Sequence, residues 1–313
     1  MNAAEMKERE RASWTAVAPG WRKHDARLTG AFGPVSERLL DLVGVSAGKR
    51  VLDTACGTGE PAIPAAVRVG STGFVLATDL VGEMIAFARE KAQARGLANI
   101  EFRETDGELL DLPPASFDAV TMRWGLMFMP DPVAALKGAK AALKAGGRIA
   151  LSNWGPPDRN PWAAIPLACI RKYIEIPPPV PGQTGLFSFA NPGCIRTVMG
   201  EAGFQNIEVE PFDVVWQRPT SGAAYFDEVI EIAGPLASLY SRHRRWRQAG
   251  VCGRRGARGR EAVDRNLDDR TARDDVDRVG GCLTECGGAW TQSSLRALAI
   301  PGGMPDGATQ GEE

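Results

Sequence analysis

Short apolar runs alternate with helical patterns through the first half of the chain. Five runs predict buried strands: Arg50–Ala55, Gly73–Asp79, Asn99–Arg103, Phe117–Met122 and Gly147–Trp154. Between them, Met84 to Ala92 place apolar residues on one helical face, and residues 132–145 are rich in Ala, Leu and Lys before Gly146. This alternation predicts an α/β fold with a doubly wound, mostly parallel sheet and helices on both faces.

A segment rich in proline and aromatic residues, 155–190, interrupts the alternation. Its Trp162, Phe187 and Phe189 favour either a roof over an apolar pocket or an ordinary surface connection. Beyond it, the pattern predicts a helix over 191–203, a sixth strand over 204–216, and an apolar-striped helix over 223–240 with a break at Gly234.

Composition and charge narrow the class of protein. The chain is 44% hydrophobic and 24% charged with a net charge of −1, so no global basic field predicts nucleic-acid or anionic-membrane binding. The apolar stretch 163–170 is too short for a membrane span, and the first ten residues have no apolar segment typical of a secretory signal. Six scattered cysteines do not predict a disulfide scaffold, which favours the cytoplasm.

The composition changes near residue 241. From 242 to 313 there are 13 Arg and no Lys, and few large apolar residues. The stretch is expected to be a disordered tail. Its Arg- and Gly-rich composition is also typical of a shifted reading frame. Within it, only Leu295–Ile300 is a candidate for the last strand of the sheet, so the sequence leaves open whether that strand is present. The predicted divisions are an N-terminal helical lid (1–44), a cofactor-binding α/β core (45–154), a substrate-side insert with the sixth strand and a helix (155–241), and an atypical, disordered tail (242–313).

Glycines and carboxylates follow the first two predicted strands. Gly57 and Gly59 permit a tight turn and a close approach of a ligand to the backbone. The helix that follows Pro61 offers free N–H groups to an anionic group. Asp79 ends the second strand, where a carboxylate accepts hydrogen bonds from both hydroxyls of a ribose. Together these features predict a nucleoside that carries an anionic group.

The spacing of Gly57, Gly59 and Ala62 also fits a dinucleotide fingerprint, so an NAD(P)-dependent oxidoreductase is an alternative. Asp53 argues against it, because a carboxylate beside the loop opposes a pyrophosphate and suits a ligand with an ammonium group. A loop-capping role for Asp53 is the remaining explanation.

Five motifs in order resemble those of class I S-adenosylmethionine-dependent methyltransferases, which have a Rossmann-like sheet. They are Val51–Gly59, Asp79–Met84, Asp106–Gly107, Leu112–Val120 and Leu143–Ala150. The resemblance covers about residues 14–240 and is strongest to the branch related to ubiquinone/menaquinone-biosynthesis C-methyltransferases. Trp14–Trp21 is similar to the opening of that branch, where an N-terminal helix covers the cofactor.

The resemblance implies roles for individual residues toward S-adenosylmethionine. Gly57 and Gly59 would line its methionine end, Asp53 would lie near its ammonium group and Asp79 would hold the ribose. Leu80 and Met84 would pack against the adenine, and Asp106 with Gly107 would meet the exocyclic amine. Arg123 would also contact the cofactor, and Trp14, Trp21 and Trp124 would lie on the substrate side. Core packing is an equally good explanation for Met84 and Trp124.

The predicted activity is methyl transfer to a small, apolar or aromatic acceptor by in-line displacement, with proximity and desolvation as its main physical causes. A base is needed only for an acceptor that must lose a proton, and His24 and Arg123 are weak candidates. Cys282 and Cys286 lack partners for a zinc site, so no metal is predicted. A non-catalytic S-adenosylmethionine-binding protein is a second alternative. The acceptor and the oligomeric state stay open.

Overall fold

The computed structural model describes residues 2–171, 175–176, 183–216, 222–248 and 290–301. Within these residues, seven strands form one sheet in the order β3-β2-β1-β4-β5-β7-β6. The strands are β1 (Arg50–Thr54), β2 (Phe74–Asp79), β3 (Ile100–Glu104), β4 (Phe117–Arg123), β5 (Leu143–Trp154), β6 (Phe204–Trp216) and β7 (Trp290–Pro301). Strands β1 to β5 pair in parallel, and β7 is antiparallel to both of its neighbours. The predicted fold class is confirmed.

Helices cover both faces of the sheet. They are α1 (Ala3–Lys23), α2 (Asp25–Leu42), α3 (Ala62–Val69), α4 (Gly82–Ala94), α5 (Pro132–Ala142), α6 (Pro161–Arg171), α7 (Pro192–Glu201), α8 (Gly222–Ile232) and α9 (Gly234–Gln248). In the described part of the chain, none of them has the length and apolarity needed to cross a membrane.

The central strands form where the sequence is continuously apolar. Val51, Leu52, Val75 and Val120 are fully buried, because helices pack on both sides of a parallel sheet and leave no solvent-facing side. Asp131 caps α5 by accepting a hydrogen bond from the backbone N–H of Ala134, and this cap fixes where the helix begins.

The boundary between α5 and β5 differs from the sequence prediction. The helix ends at Ala142 rather than near 145, and β5 begins at Leu143 rather than Gly147. Leu143 pairs with Phe117, after which the register shifts before Arg148 pairs with Ala119. A bulge over a polar, glycine-containing stretch carries no apolar run, so the pattern alone does not reveal it.

The last strand of the sheet is present. Strand β7 lies between β5 and β6, where Ala299 pairs with Ile149 and Ala297 pairs with Val209. The structure also continues α9 through Gln248, beyond the boundary predicted at 241. Both stretches thus depart from the predicted disordered tail, because main-chain pairing satisfies a strand's polar groups without a regular side-chain pattern. Residues 249–289 and 302–313 lie outside the described residues, and the prediction for them stays a prediction.

Candidate functional site

A pocket opens at the carboxyl ends of β1 to β5, where an α/β sheet binds its ligands. Together with its open mouth, it encloses about 1320 Å³. Its wall includes residues from the strand ends, from α1 and α2, and from the later helices. Its lining residues include Lys7, Glu10, Trp14, Trp21, Phe32, Gly57, Asp79, Leu80, Met84, Asp106, Gly107, Glu108, Arg123, Trp124, Phe128, Trp154, Trp162, Leu186, Ile232 and Ala233.

The two glycines of the loop after β1 have different environments. Gly57 lines the pocket with φ +52°, and a Cβ added there would meet nothing within 4 Å. Gly59 has φ +96° and faces α3 rather than the pocket, and its Cβ would lie 2.7 Å from Cδ1 of Ile63. Gly57 therefore leaves ligand space open, whereas Gly59 lets the loop pack against the helix.

Asp79 ties the loop to the end of β2. Its Oδ2 accepts a hydrogen bond from the backbone N–H of Gly57 at 2.8 Å, and its Oδ1 accepts one from Val81 at 2.9 Å. Burial raises the pKa of the Asp79 carboxyl group, and these backbone hydrogen bonds oppose the rise. Each carboxylate oxygen keeps a second lone pair, so the group has room for hydroxyl donors from a ligand. Leu80 and Met84 form the neighbouring wall.

Asp106 lies at the mouth of the pocket beside Gly107. Its Oδ1 accepts a hydrogen bond from the backbone N–H of Glu108 at 2.9 Å, and its Oδ2 lies 2.6 Å from Nζ of Lys7. The same ammonium group lies 2.6 Å from Oε2 of Glu108. The first helix is therefore joined to the turn after β3 across the pocket mouth.

Asp53 lies behind the pocket rather than on its surface. It is fully buried on β1, and its Oδ1 accepts a hydrogen bond from Oγ1 of Thr121 at 2.7 Å. Its Oδ2 has no partner among the described residues. Burial raises the pKa of Asp53 to about 7, and the Thr121 hydrogen bond and the Arg123 charge oppose that rise. The structure therefore does not bring Asp53 to the pocket wall with Gly57 and Asp79.

Arg123 is a half-buried cation at the end of β4. Its Nε donates to the carbonyl oxygen of Glu60 at 3.2 Å, and its Cζ lies 4.9 Å from the centre of the Trp124 ring. Burial lowers the pKa of the guanidinium group, although the charges of Glu60 and Asp53 partly compensate. Arg123 thus positions the loop after β1 and the Trp124 ring, and it is a poor choice as a proton acceptor.

An aromatic wall closes one side of the pocket. Trp124 stacks on Trp154 with ring centres 4.3 Å apart and an interplanar angle of 11°. Phe32 meets Trp124 edge-on at 4.8 Å, and Trp162 lies 4.9 Å from Trp154. Trp124 has φ +56°, a backbone conformation that is rare for a bulky residue. We call Phe32, Trp124, Trp154 and Trp162 the aromatic wall.

The other predicted aromatic residues are divided between the pocket and the core. Trp14 lines the pocket and meets Phe128 edge-on at 5.0 Å, and Trp21 donates from Nε1 to the carbonyl oxygen of Ile232 at 2.8 Å. From the proline-rich segment, Trp162 and Leu186 line the pocket, whereas Phe189 is in the core.

His24 is outside the pocket. It lies at the junction of α1 and α2, and its Nε2 is 2.6 Å from Oε2 of Glu231 on α8. Sequence reasoning missed Lys7, Glu10 and Phe32, which reach the pocket from the first two helices. Spacing was the available signal, because Lys7, Glu10 and Trp14 recur every three or four residues and so share a helical face.

Comparison with known proteins assigns the family. The family described as "Methyltransferase domain" matches residues 45–164. The nocamycin O-methyltransferase of Saccharothrix syringae is 33% identical over 210 residues, which are 64% of this chain and 75% of that protein. The ubiquinone/menaquinone biosynthesis C-methyltransferase of Pseudomonas putida is 37% identical over 139 residues, 41% of this chain and 54% of that protein. The chain thus spans about half the length of the second relative.

Solved structures support the fold. The YcgJ protein of Bacillus subtilis superposes with a TM-score of 0.53 at 15% identity and covers 87% of this chain and all of its own. The chain belongs to the class I S-adenosylmethionine-dependent methyltransferases, and S-adenosylmethionine is its cofactor. The loop at Gly57, the carboxylate of Asp79 and the open pocket beside them fit a nucleoside with a charged side arm, as the resemblance implies.

Proposed function

We propose that this protein transfers a methyl group from S-adenosylmethionine to a small aromatic acceptor. The observation that carries the proposal is the aromatic wall, because four flat rings line the same pocket as the cofactor loop. Such a wall favours a flat, apolar ligand through burial and ring contacts. The names of the relatives, a nocamycin O-methyltransferase and a ubiquinone/menaquinone C-methyltransferase, agree with a small-molecule acceptor.

The cofactor fits along the ends of β1, β2 and β3. Gly57 is proposed to line the methionine end, and Asp79 to accept hydrogen bonds from the ribose hydroxyls. Leu80 and Met84 would pack against the adenine, with Asp106 and Gly107 at its exocyclic amine. Asp53 is proposed to act on the ammonium group from behind the loop, since its buried carboxyl group is separated from the pocket surface.

The chain contributes position and desolvation to the reaction. When bound, S-adenosylmethionine supplies a methyl group that is already activated by its sulfonium. The aromatic wall is proposed to hold the acceptor ring, and Arg123 packs over the Trp124 ring. Helix α1 covers the site with Trp14 and Trp21 and so excludes water. Alignment and exclusion of water are the main requirements for such a transfer.

Calorimetric titration tests the cofactor, and a methyl-label assay tests the acceptor. We expect S-adenosylhomocysteine to bind and NADH not to bind, because the proposed contacts serve one nucleoside with a short charged arm. Purified protein with S-adenosylmethionine is then expected to label members of a panel of phenols and quinones. Tight binding of NADH alone would return the assignment to an oxidoreductase. Cofactor binding without label transfer to any aromatic compound would identify a binding protein.

A further inference from the structure

One buried carboxylate in the pocket has no role in the cofactor site described above. Glu10 of α1 lines the pocket and is 7% exposed. Its Oε1 lies 3.3 Å from Nη2 of Arg9, and its Oε2 is buried without a hydrogen-bond partner among the described residues. A buried carboxylate oxygen without a partner is costly, so its retention in a ligand pocket points to a donor that arrives with the ligand.

The position of Glu10 on α1 places it at the border between the cofactor half and the acceptor half of the pocket. The side of the helix that carries Arg11 meets the cofactor half, where Arg11 donates to the carbonyl oxygen of Leu80 at 2.7 Å. The opposite side carries Ser13, whose Oγ lies 3.2 Å from Oγ of Ser238 on α9. At 100° per residue, Glu10 falls between Ser13, on the side of α9, and Trp14, which packs against Val81 and Met84, so it lies between the two halves of the pocket. Ile232 and Ala233, which follow α8, line the pocket there.

The charges around Glu10 leave it able to take a proton. Arg9, its direct neighbour, is 42% exposed and pairs with Oε1 rather than with Oε2. Lys7, one turn away on α1, is paired with Asp106 and Glu108. Across the pocket, Arg123 is engaged with Glu60 and Trp124. Burial raises the pKa of the Glu10 carboxyl group, and the Arg9 charge together with hydrogen bonding from the Arg9 and Trp14 side chains opposes the rise. A raised pKa brings a carboxylate closer to the range in which general bases work.

We propose that Glu10 is the catalytic base that accepts the proton of a hydroxyl group on the acceptor, which makes the reaction an O-methylation. This inference rests on the proposed function, because it assigns the accepting atom of the same site. The acceptor O–H proton passes to Oε2 of Glu10 while the oxygen–carbon bond forms and the carbon–sulfur bond breaks. The bonding electron pair stays on sulfur, which becomes a neutral thioether, and the proton later passes to solvent.

A binding experiment tests the contact without turnover. The protein saturated with S-adenosylhomocysteine is titrated with 4-ethylphenol and with ethylbenzene, which lacks the hydroxyl. We expect the wild type to prefer the phenol by about tenfold or more, as a hydrogen bond to a charged group allows. Glu10→Leu removes the acceptor atom and is expected to lose this preference, while Glu10→Gln keeps most of it through its amide oxygen.

A kinetic experiment tests the proton transfer. Glu10→Gln is expected to lower kcat for 4-ethylphenol by about a hundredfold or more, within the range of general-base contributions. The loss should be far smaller for 4-nitrophenol in mildly alkaline buffer, where this phenol is largely ionised and needs no base. Glu8→Gln on the same helix is the matched control, because Glu8 is 74% exposed and should keep the wild-type rates.

The outcomes separate the base from the function on which it rests. Failure of the wild type to bind S-adenosylhomocysteine would refute the methyltransferase proposal itself. With binding intact, equal losses for both phenols in Glu10→Gln would overturn the base and indicate a structural role. Methylation of no phenol, or methylation at carbon, would also overturn it. Selective loss of S-adenosylmethionine binding, with S-adenosylhomocysteine binding kept, would instead place Glu10 against the sulfonium.

Discussion

Three carboxyl groups behind or within the pocket share one physical property. Burial raises the pKa of Glu10, Asp53 and Asp79 above the ordinary values of these side chains. Their hydrogen bonds differ, however, because Asp79 accepts from two backbone N–H groups whereas Glu10 and Asp53 each keep one oxygen without a partner among the described residues. The hydrogen bonds of each carboxylate therefore distinguish its role. Asp79 orders the loop, Asp53 places a carboxyl group behind the pocket, and Glu10 keeps an oxygen available to a ligand.

Asp53 makes the stability of the protein depend on pH. Its pKa of about 7 in the fold lies above the ordinary 3.8, so the folded protein keeps a proton that the unfolded chain has lost. The contribution of Asp53 to the free energy of unfolding therefore falls as pH rises from about 4 to about 7. Each unit of pKa difference between the folded and unfolded states corresponds to about 1.4 kcal/mol. Asp53→Asn should remove this fall in urea unfolding measured at about pH 5 and about pH 8.

Asp118 provides the control for that experiment. Hydrogen bonds from the Arg50 backbone and Lys144 outweigh its burial and lower the pKa of Asp118. Asp118→Asn should thus leave the slope between those two pH values as in the wild type, because Asp118 is ionised throughout. If the free energy of unfolding changed with pH equally in the wild type and in Asp53→Asn, the pH dependence could not be assigned to Asp53.

Asp79→Ala should weaken S-adenosylhomocysteine binding at least tenfold. The change removes charge-assisted hydrogen bonds to the ribose, each of about 1.5–3 kcal/mol, and also frees the N–H of Gly57 that orders the loop. Calorimetry measures the affinity, and circular dichroism checks the fold. Glu101→Ala on β3 is the control, because that carboxylate is exposed and outside the pocket. An unchanged affinity in Asp79→Ala would exclude the ribose role.

At the scale of the element, helix α1 is held over the pocket by opposite charges. Its basic residues pair with acidic residues of β3, of the turn after β3 and of α4. These pairs are Lys7 with Asp106 and Glu108, Arg11 with Glu104, and Arg22 with Glu90. Pairs of this kind near the surface contribute little individually and are screened by salt. Because the helix also buries Glu10 and Trp14, its release would open the cofactor and acceptor sites together.

Lys7→Gln should accelerate dissociation of S-adenosylhomocysteine by a few fold, because Lys7 makes two of these contacts. Stopped-flow measurement of the dissociation rate should also show a weaker dependence on salt in the variant, since two screened pairs are gone. Lys137→Gln is the control, as Lys137 is exposed on α5 away from the pocket. A salt dependence identical to that of the wild type would show that Lys7 does not hold the helix.

The sequence predicts the elements whose burial is continuous. The apolar runs of β1, β2 and β4 and the polar residues that end them are found close to the predicted boundaries, and Gly57, Asp79, Asp106 and Arg123 line one pocket. It does not predict Glu10 or Phe32, because helical periodicity identifies a buried face without identifying what the face packs on. It also misplaces the start of β5, where a bulge replaces the apolar run.

At the scale of the whole molecule, one strand joins the two parts of the sheet. Strand β7 pairs along β5 on one side and along β6 on the other, with Trp154 opposite Ser294 and Trp216 opposite Trp290. Without it, both neighbours would present unpaired backbone groups, which favour aggregation. The completeness of the sheet therefore depends on residues that are remote from the cofactor loop in sequence.

Deletion of residues 290–313 should lower the midpoint of thermal unfolding and produce aggregates in size-exclusion chromatography. Deletion of 302–313 alone is the control, because it removes no described strand and should retain the wild-type profile. If both deletions behave alike, β7 does not complete the sheet. Hydrogen exchange adds a second measurement, since amides of β7 should be protected as those of β5 are, while the sequence predicts rapid exchange for residues 250–289.

The place of β7 in the sheet differs from its place in the order of synthesis. A ribosome completes β1 to β5, and with them Gly57, Asp79 and Asp106, long before it reaches Trp290. Until then the outer edge of β5 is unpaired, because Ile149 pairs with Ala299 of β7. Strand β6 is also unpaired, since it joins the sheet only through β7. The nascent chain thus contains the residues of the proposed cofactor site before its sheet is complete. A cofactor that binds at this stage would stabilise the half already made, and chaperones would find their target at the open edge of β5.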